Sequence, residues 1–571
     1  MGIIGLMAQA QEESTYNESV LVKGSFRPVI EQREKVTFPA VVTDTMTRFE
    51  HTFQYSITPR RLNSIYEPAR IKAARILGEP ATKLYNNYLR LGMGNYWSPL
   101  ADLYWCSTRD REKTYGVRFN HRSSWGTLPD YGKNHFGLTD VTLFGKYIVA
   151  DKLQLSTDLN YEHDHNLYYG FTDDKLQTTL GKDRDDISVG DYKAKYNVIT
   201  WNAGVKNMQL DGYKLGYSAN VRVSDLWASW SQNEFNLNLS GDIHYGFKML
   251  RNAKGVAYLH AEWDAYKFSY SPDGTMPLGF NTALYPFTDA PACDGSRNIV
   301  KLNPYVDFMY NGLLFHAGLT TGWDGFSDPS KVFFRLFPDV VVSKSLMQEA
   351  LVVSLGFTGG LDANNWDLIR KINPYVCPGA EQRATHHYDL TGHARWTISK
   401  KLEANAEVRY SNLRDDLTFG LDGLYQLDNV YWPIYFDNQR LTAGADIAFV
   451  NDEMLTLRFG GHYYYNKTKL AWNKPLYRPD WDLMASADVN YNDKWLFHLE
   501  GQLLGKMQGD NNEELPMRYG INAEVEYRHN RALSFFLKMD NLAFQRYYYW
   551  SNYPSQRGLF ILGLTYTMPH K

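Results

Sequence analysis

The sequence predicts a large transmembrane antiparallel β-barrel. Three observations predict this fold: the last strand alternates apolar and small or polar residues, similar segments recur from about residue 84 onward, and short polar turns alternate with long loops. Lipid-facing and lumen-facing residues alternate along a barrel strand, so their hydropathies cancel. The mean hydropathy of −0.45 is therefore compatible with a membrane barrel. No run of about 18 apolar residues occurs, which excludes a helical span.

The last strand has a period of two, the spacing at which successive side chains point to opposite faces. Its apolar positions are Phe560, Leu562, Leu564, Tyr566 and Met568. Its alternate positions are Ile561, Gly563, Thr565 and Thr567. Such a strand at the C-terminus, with the aromatic cluster 547–550 before it, is typical of the closing strand of a barrel and its interfacial aromatic belt.

The same alternation continues through the chain. Residues 235–247 and 402–411 place apolar side chains on one face and polar or charged side chains on the other, and residues 483–491 and 519–528 repeat the pattern. A soluble β-sandwich also alternates, but its strands are commonly shorter. Two soluble β domains would need a linker near the middle of the chain, and we find none there.

The turns give the number of strands. Short polar connectors occur at 109–113, 149–152, 208–212, 251–254, 311–312, 346–348, 399–401, 451–453, 492–494 and 529–532. Longer irregular stretches lie between them, at 171–190, 271–296, 363–383, 468–480 and 508–516. Short periplasmic turns and long extracellular loops are the asymmetry of outer-membrane barrels. Ten short turns, with both chain ends periplasmic, predict about 22 strands, with 20 as the lower value.

The N-terminal region differs from the repeating part. Residues 1–10 resemble the end of a secretory signal peptide, because Ala8-Gln9-Ala10 fits the small-x-small cleavage pattern. Residues 11–83 lack a clean alternation and include the basic residues Arg60, Arg61, Arg70, Lys72 and Arg75. We expect a mostly extended periplasmic segment there, which could contact envelope partners or enter the lumen. Residues 84–571 form the predicted barrel.

The polar phase of the strands supplies the candidate site. If the apolar phase faces lipid, the other phase lines the lumen, where charged groups need water or partners. The predicted lumen-lining polar residues are Asp242, His244, Glu262, Asp264, Glu403, Glu407, Arg409, Arg458, Asp488, Glu524, Glu526, Arg528 and Lys538. A barrel of this size is too wide for its own side chains to fill, so either it conducts or other segments block it.

Other functional classes find little support. A net charge of −3 argues against a nucleic-acid binder. No catalytic or cofactor constellation stands out, so we expect no enzyme. His163 and His165 flank Asp164, but they share their phase with Leu159 and Tyr161 and should point outward, so we predict no metal site. Cys293 and Cys377 lie in loop-like stretches and could form one disulfide in an oxidising compartment.

The C-terminal stretch resembles that of TonB-dependent receptors, especially of the Bacteroidota type. The similar features are Asn541-Leu542, Tyr547–Trp550, Tyr553-Pro554, Arg557-Gly558 and the closing Gly563-Leu564-Thr565-Tyr566. The resemblance implies an integral outer-membrane receptor in contact with lipid and a role in transport or binding of a solute. The roughly 70 residues before the first strand are few for the plug domain of such receptors, and no plug motif is recognisable.

Two functions therefore remain open from the sequence. The first is a receptor-like barrel that binds or transports a solute across the outer membrane. The second is a structural or accessory subunit of an envelope complex, for example in barrel assembly, lipoprotein export or secretion, with partners bound through residues 11–83.

Overall fold

The computed structural model describes residues 85–107, 110, 112–208, 215–248, 254–270, 277–280, 294–326, 332–451, 454–469 and 474–569. Within these residues, 22 strands form one closed antiparallel sheet, in which each strand pairs with its neighbours in the chain and the first strand pairs with the last. The predicted transmembrane antiparallel β-barrel is confirmed, as is the strand number of about 22. The predicted signal peptide and the segment 11–83 lie outside the described residues.

The barrel strands follow one another in chain order. They are β1 Tyr85–Gly94, β2 Ser98–Cys106, β3 Lys113–Ser124, β4 Phe136–Val149, β5 Leu153–Leu167, β6 Lys193–Asn207, β7 Gly216–Ala228, β8 Gln232–Lys248, β9 Lys254–Tyr270, β10 Gly295–Tyr310, β11 Leu313–Phe326, β12 Val332–Leu346, β13 Leu351–Ala363, β14 Ala384–Ser399, β15 Leu402–Leu421, β16 Tyr431–Asn451, β17 Leu455–Thr468, β18 Trp481–Tyr491, β19 Trp495–Leu504, β20 Arg518–Arg528, β21 Leu533–Asp540 and β22 Leu559–Pro569.

The connections between strands carry little regular structure. Two short helices lie in loops, α1 at Asp173–Leu180 and α2 at Trp366–Ile372. Neither has the length and apolar character that a membrane-crossing helix needs. Two-residue strands pair at Thr127–Leu128 with Gly132–Lys133 and at Met507–Gln508 with Glu514–Leu515. Single 3-10 turns occupy Arg184–Asp186, Val189–Tyr192, Ser229–Ser231 and Asp510–Asn512.

The two barrel ends differ as the turn pattern predicts. All ten predicted short turns coincide with the connectors that follow the even-numbered strands from β2 to β20, so they lie at the end where β1 begins and β22 finishes. The five predicted long stretches are loops at the other end. The sequence did not identify residues 541–558 as a sixth long loop, because their aromatic residues resemble an interfacial belt.

The outer surface of the barrel is apolar. Exposed apolar side chains occupy every second position of many strands, for example Leu155, Leu159 and Tyr161 on β5 and Leu457 and Phe459 on β17. Since a closed sheet leaves no unpaired edge, this apolar band can face lipid without exposing backbone polar groups. The architecture is that of an integral outer-membrane barrel.

The wall of the barrel is uneven in height. Strands β18 to β22, β1 and β2 have 8–11 residues, whereas β4 to β17 have 13–21. The low part of the wall contains the seam where β1 and β22 close the barrel. At this seam, Phe536 of β21 packs against Gly92 and Gly563, and the Arg90 guanidinium lies 3.8 Å from the centre of the Phe536 ring.

Candidate functional site: the lumen and the extracellular cap

The predicted lumen-lining residues share one face of the sheet. All thirteen lie on the strand face opposite to exposed apolar neighbours such as Ile243, Trp263, Val408, Phe459 and Leu537. Their contacts show how a charged wall is tolerated beside a membrane.

Most of these groups meet a partner across adjacent strands. Asp242 accepts hydrogen bonds from Ser218 Oγ at 2.9 Å and lies 2.7 Å from His260 Nδ1. Glu262 lies 3.1 Å from Lys301 Nζ, and Asn238 Nδ2 donates to both Glu262 and Asp264. The carboxylates are therefore compensated by neighbours in the wall, as burial of charge requires.

The same holds on the other side of the barrel. Four ion pairs of 2.7 to 3.6 Å and one hydrogen bond of 2.6 Å account for the remaining predicted residues except His244, Glu524 and Arg528: Arg395–Glu403, Arg409–Glu407, Arg458–Asp488, Lys538–Asp540 and Ser534 Oγ to Glu526. Glu524 also pairs with Arg90 at 2.8 Å. Arg528 is exposed at the periplasmic end of β20.

Histidines also join this polar wall, and the sequence singled out few of them. His316 lies between two carboxylates, 2.7 Å from Asp307 and 3.1 Å from Asp339. The rings of His244, Tyr258, Tyr305 and His316 follow one another across β8 to β11 with centroid separations of 5.5, 4.6 and 4.7 Å. The histidine and tyrosine side chains of this row add hydrogen-bonding groups to the polar lining that the alternation predicted.

A cavity of about 330 Å³ opens in the wall between β17 and β20. Its lining includes six residues that can form hydrogen bonds or ion pairs, namely Thr456, Asp488, Asn490, His498, Glu524 and Glu526. His498 Nδ1 lies 2.6 Å from Asp488. Three of these residues, Asp488, Glu524 and Glu526, belong to the predicted lumen set.

The extracellular mouth is covered by a structure that the sequence did not predict. We call it the cap: the described residues of the loops 125–135, 168–192, 364–383, 422–430, 469–480, 505–517 and 541–558. All of these loops except 505–517 share one apolar core with the strand ends beneath them. Its buried cap residues include Leu128, Tyr168, Tyr169, Phe171, Leu176, Trp366, Ile369, Tyr375, Val376, Tyr425, Leu427, Val430, Trp550 and Tyr553. The loop 505–517 joins the other loops by hydrogen bonds, for example from Tyr477 N to the Gln508 carbonyl.

The cap spans the mouth from wall to wall. Twenty-two tilted strands about 4.8 Å apart enclose an opening roughly 40 Å across. Tyr168, which follows β5, donates a hydrogen bond to the carbonyl of Val376 at 2.7 Å, and its own carbonyl accepts from Asn429, which precedes β16. Because β5 and β16 lie half a circumference apart, these contacts join opposite sides of the barrel.

Tyrosine hydroxyls hold the loops together. Each of four buried tyrosines donates to a backbone carbonyl of a different loop: Tyr168 to Val376, Tyr169 to Pro554, Tyr431 to Ser551 and Tyr553 to Asn429, at 2.5 to 3.0 Å. The Tyr375 and Tyr553 rings stack with a centroid separation of 3.5 Å. Leaving a buried acceptor unpaired costs about 1–3 kcal/mol, so these links stabilise the closed arrangement.

This placement corrects one interpretation of the sequence. Tyr547 and Trp550, from the cluster 547–550, were expected in the membrane-interface belt, but both are buried in the outer loops. Tyr463 and Tyr465, by contrast, are exposed on β17 as a belt requires. Tyrosine runs inside long loops, rather than at strand ends, are the signal that could have indicated a packed cap.

Charged groups anchor the cap to the lumen face of the wall. Arg370 of α2 is buried and lies 2.8 Å from Glu162, 3.3 Å from Asp164 and 2.5 Å from Asp367. Burial by itself would raise the pKa of Asp367, but the charges of Arg370 and Lys371 outweigh it and lower that pKa below its ordinary value. The inward phase of Glu162 and Asp164 agrees with the outward phase predicted for His163 and His165.

Two further anchors complete the attachment. Glu234 of β8 accepts from the backbone N–H of Trp366 and from Asn365 Nδ2, both at 2.8 Å, at the start of α2. Arg478 donates two hydrogen bonds to Asp416 on β15, at 2.7 and 2.9 Å. The cap is therefore joined to the wall at α2 and at the loop 469–480.

The predicted disulfide stays a prediction. Cys377 is a free, buried thiol in the cap, and burial raises its pKa well above the ordinary value. Cys293 lies outside the described residues. Among the described residues, no group of three or more histidine, cysteine or acidic side chains has the geometry of a metal site.

Comparison with known proteins shows which fold this is. The chain is similar to the ferric-catecholate import receptor Fiu of E. coli K12, with a TM-score of 0.61 and 10% identity over 85% of this chain and 82% of Fiu. It is similar to the siderophore receptor PirA of Acinetobacter baumannii, with a TM-score of 0.63 and 9% identity over 86% and 81% of the two chains. The ferric enterobactin receptor PfeA of Pseudomonas aeruginosa gives 0.60 and 12% over 84% and 81%.

These similarities identify the fold. The chain has a 22-strand barrel similar to those of these receptors, in agreement with the resemblance of its C-terminal stretch to TonB-dependent receptors. At identities of 9–12% the similarity concerns the fold alone. No protein-family model and no curated protein matches the sequence. The structural relatives are transport receptors rather than enzymes.

Proposed function

We propose that this protein is a receptor-like outer-membrane barrel that binds a polar solute in its lumen and takes part in its transport. The observation that carries the proposal is the polar wall: ion pairs and hydrogen-bonding groups of both signs line a barrel whose structural relatives are siderophore receptors. Such a lining offers many hydrogen bonds to a polar solute.

A binding measurement tests this proposal. The purified barrel is titrated with a panel of siderophores and other polar solutes, with binding read by calorimetry. We expect one solute class to bind and D488N to weaken it at least tenfold, because Asp488 lines the wall cavity. The control is D225N, since Asp225 lies on the outward face among lipid-side neighbours. Equal affinities for D488N, D225N and the unaltered chain would contradict a lumen site.

The cap favours a second function, that of an accessory subunit in an envelope complex. A mouth covered by a shared apolar core suits a barrel that serves as a scaffold rather than a conduit. Affinity purification of the tagged protein in mild detergent distinguishes the two functions. Stoichiometric envelope proteins would support the accessory role, with residues 11–83 as the proposed contact, whereas a lone barrel that binds solute would support the first.

A further inference from the structure

We infer that the lumen exchanges with the periplasm and is closed to the cell exterior, so that a polar ligand reaches this wall from the periplasmic side. The inference goes beyond the proposed function, because it concerns the direction of access and holds whether or not the solute is finally transported.

The first argument is the construction of the cap. Its loops join walls that lie half a circumference apart, through Tyr168, Val376 and Asn429. A fourth loop enters the same junction, because Tyr553 donates to the Asn429 carbonyl and Asn552 Nδ2 donates to the Asp428 carbonyl. These partners are buried and polar, so separating the loops would expose apolar rings and break several hydrogen bonds together.

The second argument is that the cap is fastened below its rim. Arg370 reaches the carboxylates of Glu162 and Asp164, which belong to the lumen-facing phase of β5. Glu234, on the lumen-facing phase of β8, holds the first turn of α2. The cap is therefore attached to the inner surface of the wall and does not rest only on its upper edge.

The third argument is the contrast with the periplasmic end. The connectors there have at most eight residues, and a loop of that length reaches out and back only about 13 Å, far less than the opening of roughly 40 Å. Inward-facing side chains near these turns are accordingly exposed, with Met309 at 59% and Leu314 at 48% of their full surface. The described connectors therefore leave this end uncovered.

Cysteine labelling in proteoliposomes tests the direction of access. Ser240 of β8 and Ser486 of β18 face the lumen from different walls, since Ser240 pairs with Glu262 and Ser486 with Arg458 and Glu500. S240C and S486C are nearly isosteric changes. A membrane-impermeant sulfonated maleimide is added outside the vesicles only, and the unaltered chain gives the background from its native cysteines.

Two control positions report the orientation of the barrels in the same vesicles. D185C marks the extracellular side, because Asp185 is exposed in the loop 168–192, and K400C marks the periplasmic side, because Lys400 is exposed in the turn between β14 and β15. Full labelling of every variant in detergent confirms that each cysteine can react.

Each result decides the inference. We expect S240C and S486C to be labelled to the same fraction as K400C. Labelling to the D185C fraction would mean access from the exterior, and labelling of all molecules would mean an open channel; either overturns the inference. Protection from both sides would also overturn it, because the lumen would then be closed to the periplasm. None of these outcomes depends on whether a solute binds, so the inference and the proposed function fail independently.

Discussion

At the scale of single residues, the cap depends on tyrosine used as a donor to loop carbonyls. Where a loop packs into an apolar core, its backbone carbonyls are buried and need hydrogen-bond donors. The chain contains 42 tyrosines, and four of them satisfy carbonyls of another loop with the hydroxyl while their rings fill the core. One residue type therefore supplies both apolar area and a hydrogen bond.

Replacement of Tyr553 by phenylalanine tests this role. Y553F keeps the stacked ring but leaves the Asn429 carbonyl without its donor, so we expect the cap to lose about 1–3 kcal/mol. Trypsin should then cleave faster at Arg546 or Arg557, while the barrel still migrates as a folded band on unheated gels. The control is Y465F, since Tyr465 is exposed on the outer face of β17. Equal cleavage rates for the two variants would refute the role of the hydroxyl.

Gly563 tests the seam between β22 and β1. A Cβ at this position would collide with the Leu91 carbonyl oxygen and with the Phe536 ring. We expect G563A to lower the temperature at which the barrel unfolds on gels, by weakening the pairing of first and last strand. In G520A the new methyl group meets nothing within 4 Å, so this variant should behave as the unaltered protein. A similar shift in both variants would mean that loss of glycine, not the collision, is responsible.

At the scale of secondary-structure elements, the sequence predicts the strands well and the loops poorly. Alternation is a local property, so Asp242, His244 and Glu262 could be assigned to the lumen phase from their immediate neighbours. The contacts of Tyr169 with Pro554 or of Arg370 with Glu162 join positions far apart in the chain. No local pattern encodes such pairs, and aromatic residues in a packed loop look the same in sequence as those of a membrane belt.

The short helix α2 depends on Arg370. R370M keeps much of the side-chain volume but leaves Glu162, Asp164 and Asp367 without their shared cation, and breaking a buried ion pair in this way costs about 3–5 kcal/mol. We expect amide hydrogens of residues 366–372 to exchange at least tenfold faster. The matched control is R414M, because the Arg414 side chain is exposed and its distance to Asp415, 3.9 Å, is at the long limit of an ion pair. Unchanged exchange in R370M would show that apolar packing alone holds the helix.

The same helix should respond to acid. The pKa of Asp367 is lowered in the folded protein, so its contribution to stability is complete above the pKa of the unfolded chain, about 4. It is lost as the pH falls through the folded value. We expect hydrogen exchange of residues 366–372, corrected for intrinsic rates, to accelerate as the pH falls below about 4. In D367N this acceleration should be smaller, and an equal acceleration would assign the effect to other groups.

At the scale of the whole molecule, barrel and cap depend on one another. The loops of the cap are spread along the chain between residues 125 and 558. The barrel closes only when β22 pairs with β1. Deletion of residues 559–571 should therefore abolish the folded gel band and also expose Arg184 in the loop 168–192 to trypsin, because its side chain is held against Asp173 and Phe171 in the cap. Deletion of residues 570–571 alone should change neither. A protected loop 168–192 in the longer deletion would show that the cap folds without the closed barrel.

The junction of Tyr169 with Pro554 also sets an order of events during biogenesis. The two residues are separated by 385 positions, and contacts of such high contact order form late because the intervening chain must first be arranged. The cap therefore forms after the last strand has been inserted, whereas each hairpin of the wall can form as soon as both of its strands are present. An antibody against the assembled cap would recognise only molecules whose barrel is closed, and it would serve as a reporter of completed insertion at the cell surface.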